Sequence, residues 1–196
     1  SKLVTDPRIS FFSFIGSGAV GWRLRSQLAP GTRCGLEHGG VAPVIIEPDA
    51  DKERVVQSIT KGGFYHAGQV CVSVQRVFIH EDIFDDIAGA LKNEAEKLIV
   101  GDPANKNTEV GPLINHGEVE RVATWVDEAV AGGAIKITGG ERLSNSTYAP
   151  TILIDPPENA NISTKEVFGP VIALFKYSNI DEAINRANGL DFAFQA

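Results

Sequence analysis

Apolar positions recur along the chain with two alternating periods. Val119, Val122, Val126 and Val130 keep the three- and four-residue spacing of one helix face and predict a helix over residues 118–131, capped by Gly132-Gly133. Ile87, Leu91, Ala95 and Leu98 do the same for residues 84–98, and residues 52–66 also carry helical periodicity. Between these stretches lie short runs rich in β-branched and aromatic residues: 9–15, 32–37, 41–47, 74–80, 134–138 and 171–177. Each predicts a strand. Gly16 to Gly21 opens a helix running to Ala29 before Pro30-Gly31, and a last helix is expected over residues 180–188. Residues 1–6 read as the tail of a helix, 148–154 as irregular before a turn at Pro156-Pro157, and 192–196 as an unfinished strand, so both ends look cut. Strands alternating with helices predict an α/β fold with a mainly parallel sheet and helices on both faces.

Composition narrows the classes of function. The 196 residues are 43% apolar, enough to bury a real core. Eighteen basic residues against 25 acidic ones give a net charge of −7, with the basic residues dispersed, which argues against a nucleic acid or an anionic membrane surface as partner. No apolar run approaches the ~20 residues that span a bilayer, and no leader pattern opens the chain. A cytoplasmic location is expected. The cysteines, Cys34 and Cys71, are too few and too far apart for a disulfide scaffold or a CxxC motif.

Cys71 is the residue around which chemistry can be arranged. It falls between a predicted helix and a predicted strand, after the breaker Gly68, where backbone N–H groups are free to face an anion. Taken alone, a lone cysteine is more often a small buried hydrophobe. Gly16-x-Gly18-x-x-Gly21, between a strand and a helix, fits a dinucleotide turn, and the fold then wants an acid about 20 residues on for the ribose. Glu37, sixteen residues after Gly21, is the acid near enough. It is either a ribose ligand or part of the cysteine chemistry. His66, five residues before Cys71, suggests a Cys/His hydrolase pair, but along a helix five residues turn a side chain about 140° away, leaving His66 a helix-end polar residue.

Three separated motifs resemble one family. Leu36-Glu37-His38-Gly39-Gly40 is similar to the E-L-G-G segment of the aldehyde dehydrogenase superfamily, Gly68-Gln69-Val70-Cys71 with Arg76 to its G-Q-x-C-x-x-x-x-R segment, and Glu166-Val167-Phe168-Gly169-Pro170-Val171 to its E-x-F-G-P-V segment. The spacings, 34 residues from Glu37 to Cys71 and 95 more to Glu166, agree with the family, and Phe14-Ile15-Gly16-Ser17 resembles its F-T-G-S turn. His38, Val41, Ile15 and His66 depart from the commoner Leu, Lys, Thr and Asn. These changes bear on the substrate pocket and cofactor contacts rather than on reaction type.

The resemblance implies an aldehyde dehydrogenase catalytic-domain-like fold, with residues 1–38 a remnant of the dinucleotide-binding domain and residues 39–196 the catalytic domain, truncated at its C-terminal end. It implies oxidation of a small-molecule aldehyde to a carboxylic acid with NAD or NADP. Cys71 looks like the nucleophile and Glu37 like the general base that activates water. Glu166 looks like a ligand for the nicotinamide-side ribose, with Phe168 packed at that end of the cofactor and Gly16 and Ser17 near its phosphates. Arg76 reads as structural. No metal is implied. The full-length protein is expected to be a homo-oligomer. The family's P-W-N segment, whose Asn completes the oxyanion hole, is not found in this sequence, so the 196-residue chain alone is expected to be inactive. The alternatives are a CoA-acylating relative, which Glu37 argues against, a non-catalytic dinucleotide-binding or interaction module with a buried Cys71, and a thiol hydrolase for which no histidine is well placed.

Overall fold

The computed structural model describes residues 2–192, and the unfinished strand expected at residues 192–196 lies, but for Phe192, outside them. The chain divides into two compact units, Ser1–Gly39 and Gly40–Ala196.

In the first unit, strands β1 (Phe11–Ile15) and β2 (Arg33–Glu37) pair in parallel, from Phe11 opposite Arg33 to Ile15 opposite Glu37. Helix α1 (Gly18–Arg25) connects them and completes the expected β-α-β unit. It stops four residues before the expected Ala29. The Ser26 hydroxyl donates to the Arg23 carbonyl at 2.8 Å, giving the last turn a local partner that competes with the helical ladder. Residues 2–5 form turns, not the tail of a helix. There the Asp6 carboxylate, just before Pro7, accepts from the Arg8 amide and guanidinium.

The second unit is a five-stranded sheet in the order β3-β4-β7-β6-β5, built from β3 (Ala42–Ile46), β4 (Val74–His80), β5 (Ile135–Thr138), β6 (Thr151–Ile154) and β7 (Val171–Tyr177). All neighbours are parallel except the antiparallel pair β5–β6. The helices are α2 (Lys52–Phe64), α3 (Phe84–Lys97), α4 (His116–Ala131), the short α5 (Asn161–Thr164) and α6 (Ile180–Ala187). Side chains along a strand alternate between faces. A Cβ on Gly63 of α2 would stand 2.3 Å from Ile172, and Lys176, on the same face of β7, lies over Phe84 of α3. Arg186 of α6 covers Phe175 and Phe78, which belong to the opposite face. Helices therefore cover both faces, and the α/β expectation holds.

The caps follow from side-chain chemistry. Asp51 accepts from the Arg54 amide at 3.1 Å, Asn115 from Glu118 at 3.0 Å and Asn179 from Asp181 at 2.8 Å, fixing the starts of α2, α4 and α6. Val119, Val122 and Val126 are buried as expected, whereas Val130, in the last turn of α4, is exposed and Ala129 is buried. The irregular reading of residues 148–154 is corrected by β6, which lies inside the sheet with Ile152 and Leu153 fully buried. With apolar side chains on both faces, so short a segment shows no alternation to read. Among the described residues no helix is long and apolar enough to cross a membrane.

Candidate active site

Helix α2 ends at Phe64, two residues before the expected His66, because the backbone turns left-handed: φ is +50° at His66, +55° at Ala67 and +69° at Gly68. His66 therefore lies beyond the helix, and helical rotation does not set its direction relative to Cys71. The His66 side chain is exposed and lies against the Tyr65 ring. The left-handed turn delivers the chain to Gln69, whose side chain acts as a clasp. Its Nε2 donates to the carbonyls of His66 and Pro112, both at 3.1 Å, and its Oε1 accepts from the Ile114 amide at 2.9 Å. The next residues form a turn closed by the Ser73 amide donating to the Val70 carbonyl at 2.9 Å, with Cys71 half-buried inside it. Among the described residues nothing accepts a hydrogen bond from the Cys71 N–H. That amide remains free to serve an oxyanion.

The second motif lies against the first. A Cβ on Gly68 would stand 2.1 Å from the Gly169 carbonyl oxygen, so the backbone leading to Cys71 is pressed on Gly169 and Pro170. Just before them stand Glu166, half-buried, and Phe168, which is exposed and has φ +47°. Glu166 Oε1 is enclosed and has no hydrogen-bond partner among the described residues. Burial pushes this carboxyl above the ordinary glutamate range, with the Gly40 backbone and the Arg121 charge pulling the other way. Gln75 and Arg121, which reach the same loop, were not signalled as site residues by any motif. Gln75 stands with Arg76 as a polar pair in a strand otherwise led by Val74, Val77, Phe78 and Ile79, which is the signal the sequence offers for it.

In the first unit, the Gly16 amide donates to the Glu37 carbonyl at 3.1 Å, which joins the glycine turn to the residue expected to be the base. The Glu37 side chain is exposed at the end of β2. Ser17 precedes α1 in extended conformation, yet its hydroxyl caps nothing, and the first turn holds no acid. Both leave the turn open to an anion. Gly18 and Gly21 have another use. A Cβ on Gly21 would meet His38 Nε2 at 2.7 Å, and one on Gly18 the same ring at 3.6 Å, so an imidazole fills the room these glycines leave. Cys71, Glu166 and Phe168 thus gather in one unit, and Gly16, Ser17 and Glu37 in the other. No group of three or more metal-ligating side chains occurs among the described residues.

The raised Glu166 titration has a consequence for stability. A carboxyl whose folded pKa exceeds its unfolded value stabilises the fold at low pH, and that contribution is lost as pH rises through the folded pKa. Glu166→Gln is therefore expected to melt higher than the wild type at neutral pH and equally at about pH 3, well below the ordinary glutamate pKa of about 4.3. The residue is half-exposed and screened, so the gain is about 1–2 °C, readable by calorimetry at both pH values.

A family model described as the aldehyde dehydrogenase family matches residues 1–196. The chain is 40% identical over 194 residues to the 3-sulfolactaldehyde dehydrogenase of Priestia aryabhattai, covering 99% of this chain and 40% of that protein. It is 33% identical over 199 residues to the succinate-semialdehyde dehydrogenase [NADP(+)] of Escherichia coli, covering 100% of this chain and 41% of that protein. The crystal structure of an NAD-dependent aldehyde dehydrogenase from Sinorhizobium meliloti matches with a TM-score of 0.94 at 34% identity, over 97% of this chain and 39% of that one. The chain thus spans about two-fifths of the length of these relatives.

Proposed function

The chain belongs to the aldehyde dehydrogenase family, and on that premise we propose that it serves the oxidation of an aldehyde to a carboxylic acid with NAD or NADP through a thioester on Cys71. The observation that carries this reading is the seating of Gly68 on Gly169 and Pro170, which sets the thiol loop beside the loop of Glu166 and Phe168. The unit Ser1–Gly39 then holds the remnant of the dinucleotide-binding domain, and the unit Gly40–Ala196 the catalytic domain.

The Cys71 thiolate adds to the carbonyl carbon. A C–S bond forms, and the π pair of the carbonyl moves to oxygen, where the unspent Cys71 N–H is a donor for the negative charge. When bound, the nicotinamide cofactor supplies the acceptor for the hydride that leaves this carbon as its carbonyl re-forms. Glu37 takes a proton from water, the resulting hydroxide adds to the thioester, the C–S bond breaks and the thiolate is regenerated. The residues present fit the cofactor. The enclosed, unpaired Oε1 of Glu166 suits a sugar hydroxyl, the Ser17 hydroxyl and the first-turn amides of α1 suit phosphate, and the exposed Phe168 ring offers an apolar face to the nicotinamide end. Both cysteines are free thiols, which suits a reducing compartment such as the cytoplasm, and by family resemblance the whole protein is a homo-oligomer.

The test is the rate at which iodoacetamide alkylates Cys71 across pH, compared with Glu37→Gln, with Cys34→Ser in both. A fast reaction whose pH profile changes with Glu37 is the expected result. Slow alkylation independent of Glu37 counts against these two residues acting in one reaction.

A further inference from the structure

We propose that Gln75 and Arg121 are positioning residues that together fix the backbone around Glu166 and so set where this carboxylate and Phe168 stand. The proposal rests on the reading of Glu166 as a cofactor ligand.

Gln75 is 4% exposed on β4, four residues after the nucleophile and beside the fully buried Val77, Phe78 and Ile79. A buried amide is costly unless its hydrogen-bonding groups are used, and an aliphatic side chain could fill the same place without that demand. Here Nε2 donates to the Lys165 carbonyl at 2.7 Å and to the Ile162 carbonyl at 2.9 Å, while Oε1 accepts from the Val167 amide at 2.9 Å. The Lys165 carbonyl belongs to the peptide plane before Glu166, and the Val167 amide to the plane after it. One side chain therefore holds both planes that define the Glu166 backbone. Arg121 of α4 holds the next plane, donating from Nη2 to the Val167 carbonyl at 2.6 Å. Its guanidinium is itself fixed by Glu118 at 2.7 Å and by the Trp125 ring, 4.5 Å away.

Both backbone polar groups of Val167 are thus taken by side chains from two different elements, four residues before β7 begins. This grip keeps Glu166 Oε1 enclosed and leads into the left-handed Phe168. Because Gln75 stands on the strand that leaves Cys71, the element that carries the thiol also carries the part that places the acid. The thiol loop has its own clasp in Gln69, so loosening the grip on Val167 is expected to move Glu166 without moving Cys71.

The experiment follows the Glu166 carboxyl by carbon-13 NMR in glutamate-labelled chain, assigned by the resonance lost in Glu166→Gln. In Gln75→Asn the amide is one methylene shorter and cannot reach both peptide planes. Its Glu166 titration midpoint is expected to fall towards the ordinary glutamate range while the Cys71 alkylation rate stays that of the wild type. If Gln75→Asn does not fold, Arg121→Lys, half-exposed on α4 and still cationic, is read in the same way. An unchanged midpoint in a folded variant overturns the proposal, and so does a shift accompanied by faster Cys71 alkylation, which marks general loosening. The titration needs no cofactor. A shifted midpoint together with Glu37-independent alkylation would leave the clamp standing and remove only the use proposed for it.

Discussion

Gly68→Ala is expected to lower the melting temperature of the chain by about 6–12 °C, a loss of about 3 kcal/mol. Two penalties add. The residue has φ +69°, where a side chain is disfavoured by about 1 kcal/mol, and the new methyl group would stand 2.1 Å from the Gly169 oxygen and 2.6 Å from its carbonyl carbon. Backbone atoms cannot swing aside as the end of a flexible side chain can. Gly169 is itself closely packed, since a Cβ placed there would stand 2.7 Å from the Val122 side chain of α4. The variant must therefore part the thiol loop from the loop of Glu166 and Phe168, or distort one of them. Thermal melts give the stability loss. Faster alkylation of Cys71 in the folded variant, at the pH where the wild type is measured, reports the parting. A variant as stable as the wild type would remove the seat on which the active-site reading depends.

That contact also explains where the sequence was readable and where it was not. Strands β4 and β7 coincide with the expected residues 74–80 and 171–177, because both are rich in β-branched and aromatic residues and β7 follows the break at Gly169-Pro170. The end of α2 was misplaced by two residues because nothing local marks His66 and Ala67 for left-handed backbone. Tertiary seating of Gly68 selects that conformation against the preference of both side chains. The start of α4 is a different kind of miss. Asn115 followed by Glu118 is a capping signal present in the sequence, and the structure uses it. Strand β6 left no trace, since a four-residue strand whose first three residues are buried on both faces has no period to show.

For the site, family motifs marked Cys71, Glu166 and, among the residues that hold their loops, Gln69, but not Gln75 or Arg121. Cys71 and Glu166 belong to motifs 95 residues apart, and their loops meet within one unit. Gln75 and Arg121 act through backbone carbonyls and amides, which any residue supplies, so the partner they require has no signature. The Gly16-Gly18-Gly21 pattern has a second use that its spacing does not reveal. Gly18 and Gly21 also leave room for the His38 ring.

Arg76, five residues after Cys71, is read as structural, and its surroundings make that reading testable. It is 2% exposed, with its guanidinium 5.0 Å from the Phe78 ring centre and 5.9 Å from that of Phe175, and its Nη2 donates to the Arg186 carbonyl in the last turn of α6 at 2.7 Å. Nε and Nη1 have no partner among the described residues. Burial pulls its pKa down, the nearby Arg186 adds to that, and Glu158, which pairs with Arg186, opposes it. A buried cation held by one strong hydrogen bond contributes mostly volume and a helix cap, because desolvation offsets much of its charge. Arg76→Ala opens a cavity between β4 and α6 and is expected to cost about 3 kcal/mol. Arg76→Met keeps most of the volume and loses only the cap and the charge, so it is expected to cost about 1 kcal/mol. Urea denaturation of the two variants decides the matter. Equal losses would mean that the charge, rather than the packing, holds α6 to the strand that leaves Cys71.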